Sequence, residues 1–256
     1  MNEVLAPNEK IEDLLCDGLK IIVRTDGFHY GSDSIMLANF VKASSGANIV
    51  ELCSGTGVIS ILLSAKTRAA HIIGVEIDES LVSLANRSAA MNGIEDRVNF
   101  VCGDICNINN IRNMHNLNNM NDMHNKRNIV NIINEANDIL RHGSAGVVVA
   151  NPPYLKSGSG TGSRDAGSDA ARREIYCELA DVTTAAGWLL RQGGAFYIVY
   201  RMERLVDLFC AMRNSGIEPK VLQPVCASIG KPSPFILVSG KKGAAPGLIF
   251  RKQIVI

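Results

Sequence analysis

The sequence predicts an α/β fold of the Rossmann-like kind, a mostly parallel seven-stranded sheet covered by helices, with one antiparallel strand late in the chain. Short apolar runs alternate with segments of helical periodicity from Ile49 to Val238. The first of these runs stops at a glycine turn, Ser54-Gly55-Thr56-Gly57. The runs Val221–Val225 and Phe235–Val238 follow each other with only a short connection, too little for the crossover a parallel pair needs.

Upstream, Leu19–Val23 reads as a strand and Ser32–Phe40 as a helix, so residues 1–47 are expected to form a flap over a main domain spanning 48–256. Ile49–Cys53 is the first strand of that domain, and a helix runs from Val58 to about Thr67. His71–Ile77 is rich in β-branched residues and reads as the second strand. Glu79–Met91 is helical, with Leu81, Leu84, Ala85 and Ser88 on one face and Asn92-Gly93 as its stop. Val98–Cys102 is the third strand, ending at Gly103-Asp104.

Residues 106–125 break the rhythm, because asparagine recurs there at a density that competes with helix and sheet hydrogen bonds and leaves little to bury. That segment is expected to be a surface insertion. Helical spacing returns with Ile129, Ile132, Ile133, Ala136 and Leu140. Gly146–Ala150 is a wholly apolar fourth strand that runs into Asn151-Pro152-Pro153-Tyr154, and a glycine- and serine-rich loop follows. A helix from about Ala170 to Leu190, a strand at Ala195–Val199 and a helix at Glu203–Arg213 precede the two late strands, with one more strand expected within Leu248–Ile256.

Composition narrows the function classes. Hydrophobic residues make up 46% and charged residues 20%, as in a globular protein, and the net charge is only +1. A nucleic-acid partner must then bind through a local basic patch. The seven cysteines are irregularly spaced with no CxxC pair, and Cys102 and Cys106 read as small hydrophobes, so neither a metal nor a disulfide framework is expected. There is no leader pattern at the start and no apolar run of about 20 residues. No membrane association, a cytoplasmic location and a monomeric state are the corresponding expectations.

Candidate ligand residues sit where strands end. In a parallel sheet the C-terminal ends of the strands share one edge, and ligands bind there. Gly55 and Gly57 let a backbone approach a ligand closely. Glu76 ends the second strand 19 residues after Gly57 and offers a carboxylate to a ribose diol, and Asp104 follows the third strand on the same edge. The dinucleotide fingerprint fails, because Ser60 stands where its third glycine belongs. A nucleoside-type cofactor is therefore expected.

The Asn151–Tyr154 tetrapeptide carries its own chemistry. A conjugated NH2 is a poor nucleophile because its lone pair is delocalised. Two acceptors on its hydrogens favour the tetrahedral form and aim the lone pair. Asn151 supplies a side-chain carbonyl, and Pro152 a backbone carbonyl without an N–H of its own. Pro153 stiffens the turn, and Tyr154 can stack on a planar substrate. The product ammonium loses its proton easily, so no base is needed beforehand.

The runs ELCSGTGVISILL, GVEID and CGDI, followed by NPPY, resemble the motifs of class I methyltransferases that act on amino groups, over about Asn48 to Ser239. The resemblance implies S-adenosylmethionine as cofactor. Glu51 and the Gly55–Gly57 turn would face its methionine part, Glu76 its ribose and Asp104 its adenine. Cys53, Ile77, Ile105 and Asn151 would line the same site. The block Gly27–Ala38 resembles one in bacterial tRNA adenine-37 N6-methyltransferases acting on the valine tRNA, where Gly31 and Asp33 would lie at the amino-acid end of the cofactor. The implied partner is RNA, and specifically tRNA. Arg172 and Arg173 after the tetrapeptide, with Lys241 and Lys242, would form a phosphate-binding rim. Two other readings stand beside this one: a protein glutamine methyltransferase, and a cofactor-binding RNA-associated module without activity. The asparagine-rich insertion at 106–125 lies outside the family pattern.

Overall fold

Two polar-edged strands open the chain. β1 (Glu9–Asp13) and β2 (Lys20–Arg24) form an antiparallel hairpin, with Glu9 opposite Arg24 and Asp13 opposite Lys20. The structure is a computed structural model and describes residues 5–26, 29–106, 138–153, 178–226, 228 and 233–255. Leu19, Ile21, Ile22 and Val23 are buried, as their apolar run predicts. β1 reads EKIED, with no apolar alternation to reveal it, and its residues are half-buried or exposed.

After α1 (Ser32–Phe40) the Rossmann-like pattern begins. In order come β3 (Asn48–Leu52), α2 (Val58–Lys66), β4 (His71–Glu76), α3 (Glu79–Met91), β5 (Val98–Cys102) and β6 (Ala145–Ala150). Then follow α4 (Leu179–Leu189), β7 (Leu190–Arg201), α5 (Leu205–Asn214), β8 (Ile217–Cys226) and β9 (Phe235–Lys242). β10 (Ile249–Phe250) and β11 (Ile254–Val255) are two-residue strands. The asparagine-rich insertion lies outside the described residues beyond Cys106.

The sheet order is β10-β8-β9-β7-β6-β3-β4-β5, with β11 also on β8. β5, β4, β3, β6 and β7 pair in parallel, and β9 is antiparallel to both β7 and β8. The seven long strands are those expected, and β9 is the antiparallel one. β8 is twice the length its apolar run shows, because Pro219 and Pro224 interrupt the pattern. Proline is tolerated there since the outer side of β8 is met only by the short β10 and β11. β7 likewise begins five residues before Ala195, across Gly193 and Gly194.

Side chains alternate across the sheet, and two cores result. Val50, Leu52, Val148 and Ala150 join the core beneath α4 and α5. Ile49, Val147 and Val149 join the one beneath α1, α2 and α3. β2 and α1 contribute to this second core, since Ile21, Val23, Leu37 and Phe40 belong to it together with Ile59, Leu62 and Ala85. Polar contacts add to the packing. The Ile22 N–H donates to Ser88 Oγ at 3.0 Å, and Arg87 grips both oxygens of Glu9 at 2.8 and 2.9 Å. α3 is capped at its start by Asp78, which accepts from Ser80 N–H, and ends at Asn92 with Gly93 at φ +65°.

Candidate active site

Register brings the strand ends together. Leu52 is opposite both Val75 and Ala150, and Glu76 is opposite Cys102. Asn151 and Cys53, the residues that follow β6 and β3, are therefore level with Glu76 and Cys102, so the four strands end in a row, with Ile77 one step and Asp104 two steps beyond it. Three strand spacings span about 14 Å, enough for a nucleoside carrying an amino-acid tail. Glu51 pairs with Gly74 and with Val149, so Glu51, Glu76 and Asn151 share the face of the sheet beneath α1 and α2.

The glycine turn is bound by backbone contacts. Ser54 N–H donates to Val75 O at 3.0 Å and Gly57 N–H to Ser54 O at 2.8 Å. Cys53, Gly55 and Gly57 take positive φ of 57°, 54° and 82°. For Cys53 that region is costly, and the surrounding bonds hold it there. Gly57 has a reason the sequence does not show. A Cβ on it would come within 2.5 Å of the Phe100 ring, and one on Gly74 within 2.3 Å. Both glycines make room for Phe100 beneath the turn. Ser54 Oγ and Thr56 Oγ1 are buried without a hydrogen-bond partner among the described residues. A polar ligand seated on the turn would supply one.

Glu76 braces this turn. Its Oε2 accepts from Gly55 N–H at 2.8 Å, and its Oε1 accepts from Ile77 and Asp78 N–H at 3.0 and 3.2 Å. Beside it Ile77 is 42% exposed, an apolar side chain at the edge where a ligand ring would lie. Asp104 Oδ1 accepts from Cys106 N–H at 2.9 Å and shapes the turn after β5, while Ile105 is buried behind it. The Cys106 thiol is exposed at this edge, yet partial desolvation and the nearby Asp181 and Asp104 carboxylates push it up to about 12. That contact brings the first turn of α4 to the same edge.

Glu51 is only 1% exposed and accepts from both the N–H and the hydroxyl of Ser60. Ser60, whose identity excluded a dinucleotide fingerprint, is thus the partner of the buried carboxyl. Its signal was a serine inside the apolar run of α2. Burial pushes Glu51 up to about 8; the Ser60 bonds oppose this, and the charge of Glu76 adds to it. Unfolded, the carboxyl ionises near 4.5. The fold therefore holds a proton that the unfolded chain has lost between about 4.5 and about 8. Stability falls as pH rises through that window and levels off above it. Glu51→Gln cannot ionise, so it is expected to flatten the profile, by at most about 1.4 kcal/mol per pH unit, and to melt higher than wild type at about pH 8. Melting curves that stay parallel from acid to alkaline pH would mean that Glu51 is already ionised in the fold.

Asn151 leaves β6 towards α1. Its amide nitrogen donates to Asp33 Oδ2 at 3.2 Å and to Ser34 Oγ at 2.9 Å. Pro152 is buried and Pro153 half-buried. Gly31 is the N-cap of α1, and a Cβ on it would lie 2.5 Å from Asp33 Oδ1. The glycine lets the Asp33 carboxylate fold back, so that Oδ1 accepts from Ser34 N–H at 2.9 Å while Oδ2 takes Asn151. Tyr154, Arg172 and Arg173 lie outside the described residues.

Lys241 and Lys242 stand elsewhere. Lys241 pairs with Ala195 near the start of the parallel part of β7, whereas Ala150 is level with Ile198. The pair is therefore at the edge opposite the tetrapeptide. Lys242 Nζ donates to Leu190 O at 2.7 Å, a structural task at the end of α4. Among the described residues no group of three His, Cys, Asp or Glu could hold a metal, and no helix is long and apolar enough to cross a membrane.

Residues 49–143 match a family model described as a methyltransferase domain. The chain is 23% identical over 70% of its length to a tRNA1(Val) (adenine(37)-N6)-methyltransferase from Porphyromonas gingivalis, covering 60% of that protein. It is 30% identical over 73% of its length to one from Phocaeicola vulgatus, covering 65%. The chain thus spans under two thirds of the length of these relatives. Among solved structures, a predicted O-methyltransferase from Agrobacterium tumefaciens superposes with a TM-score of 0.61 at 17% identity, over 87% of this chain and 86% of that one.

Proposed function

The chain carries a class I methyltransferase domain, and on that premise we propose that it moves the methyl group of S-adenosylmethionine to the exocyclic amine of an RNA adenine, the target being adenine 37 of a tRNA anticodon loop. The observation that carries this is Asn151-Pro152-Pro153 at the end of β6, level with the glycine turn of β3 and on the same face as Glu51 and Glu76. The similarity to tRNA1(Val) adenine-37 enzymes supports the choice of base and RNA.

The donor set fits the cofactor. Two carboxyls and two hydroxyls without a partner among the described residues surround a turn that opens on the strand edge. Bound there, the cofactor supplies an electrophilic methyl on a sulfonium. Glu51 would meet its cationic amine, which draws the carboxyl back to the ionised form. Glu76 and Asp104 would accept from its ribose and adenine, with Ile77 against the ring. Asn151 Oδ1 and the Pro152 carbonyl would take the two hydrogens of the target amine, and Tyr154 would stack on the base. An anticodon-loop adenine is unstacked at lower cost than one in a duplex.

Tritiated-methyl transfer to bulk tRNA from cells lacking the modification is the test. Label recovered as N6-methyladenosine is expected; label in release-factor glutamine, or in neither acceptor, would overturn the reading. For the RNA surface, Arg172→Ala with Arg173→Ala is expected to flatten the slope of log K against log salt by about 2, one per lost phosphate contact. Lys241→Ala with Lys242→Ala, at the opposite sheet edge, is expected to leave that slope unchanged. Filter binding across a salt series measures both, and the reverse pattern would put the RNA on the lysine edge.

A further inference from the structure

We propose that Asp33 and Ser34 are positioning residues that set which way round the Asn151 side chain sits. This deepens the amino-methyl-transfer reading and rests on it. An asparagine amide is nearly symmetric in shape, but only one of its ends can serve an N–H substrate. If the NH2 end faced the target amine, donor would meet donor, and the lone pair would not be aimed. A carboxylate only accepts, so the end of Asn151 that lies 3.2 Å from Asp33 Oδ2 is the nitrogen. The Ser34 hydroxyl accepts the second hydrogen at 2.9 Å. With both amide hydrogens committed to α1, the carbonyl oxygen is the end turned to the substrate.

The same face is built for this contact. Val149 sits in the core beneath α1, and strand alternation sends Asn151, two residues on, to the same side. Asp33 is itself held by the Ser34 N–H at 2.9 Å and accommodated by the missing Cβ of Gly31. The sequence-level expectation for Asp33 was a place at the amino-acid end of the cofactor. The geometry points instead to a task on the catalytic asparagine.

A carboxylate at position 151 separates this from a merely structural contact. Asn151→Asp sets two carboxylates face to face, so it is expected to melt below wild type by a margin that grows from acid to neutral pH. Its kcat with bulk unmodified tRNA is expected to fall about 10²-fold at neutral pH. Adding Asp33→Asn supplies an amide that donates to the introduced carboxylate. The double variant is expected to regain the melting temperature and about ten-fold in kcat over Asn151→Asp alone. Asp33→Asn by itself removes the acceptor-only neighbour and should lower kcat about ten-fold with the calorimetric affinity for S-adenosylmethionine unchanged. Gly31→Ala, which displaces the Asp33 carboxylate, should do the same. Loss of cofactor affinity with kcat kept would make Asp33 a cofactor ligand and overturn the proposal. So would a double variant that melts no higher than Asn151→Asp. The melting arm needs no acceptor RNA, so it still decides the contact if wild-type protein methylates no tRNA, a result that would instead remove the proposed function.

Discussion

Asn151→Ala is expected to lower methyl transfer about 10²–10³-fold, roughly 2.7–4 kcal/mol of transition-state stabilisation, with little change in cofactor affinity. The acceptor it removes works only when the target amine becomes tetrahedral, so the loss belongs in kcat rather than in binding. Stability should fall as well, because Asp33 Oδ2 and Ser34 Oγ both lose the donor they share. Taking a donor from a half-buried acceptor costs up to about 1–3 kcal/mol. Single-turnover transfer with saturating cofactor, beside a melting curve, separates the two effects. A variant that binds cofactor normally and still methylates at the wild-type rate would end the case for Asn151 as the acceptor.

The second large effect is expected at Glu76. Its carboxylate accepts from three backbone N–H groups and so braces the glycine turn even before any ligand arrives. Glu76→Ala removes these acceptors together with the one proposed for the ribose diol. At about 1.5–3 kcal/mol for each bond to a charged group, S-adenosylmethionine affinity should drop by more than ten-fold, and the melting temperature should fall without ligand. Glu76→Gln keeps one carbonyl, loses the charge and turns a donor towards one of the N–H sites, so it should fall between. Calorimetry with S-adenosylhomocysteine is the measurement. Unchanged affinity in the alanine variant would mean that the cofactor does not reach the end of β4, and a ligand-free melting loss alone would leave Glu76 as a brace.

Much of the fold was legible in the sequence because the signals are local. Period two against period 3.6, the Asn92-Gly93 stop and the glycine turn each act within a few residues, and they place β3 to β6 and α3 to within a few positions. The hairpin strand β1 and the proline-crossed β8 were not legible in full. Their order comes from neighbours across the sheet rather than from their own pattern. The site divides in the same way. That Glu51, the glycine turn, Glu76, Asp104 and Asn151 belong to one edge follows from alternation alone, since parallel strands must all end on the same side.

What each residue touches was decided only by register and by the face it occupies. Asp33 and Asn151 are 118 residues apart, and nothing local to either marks the other as its partner. The same holds for Gly57, whose missing Cβ makes room for Phe100. Lys241 and Lys242 look like a phosphate rim in the sequence, yet the antiparallel run of β9 carries them to the far end of the sheet. Backbone propensity and hydrophobic period fix where elements begin and end. Contacts between distant segments depend on which strands pair and in what register, and a one-residue slip there would turn Asn151 away from α1.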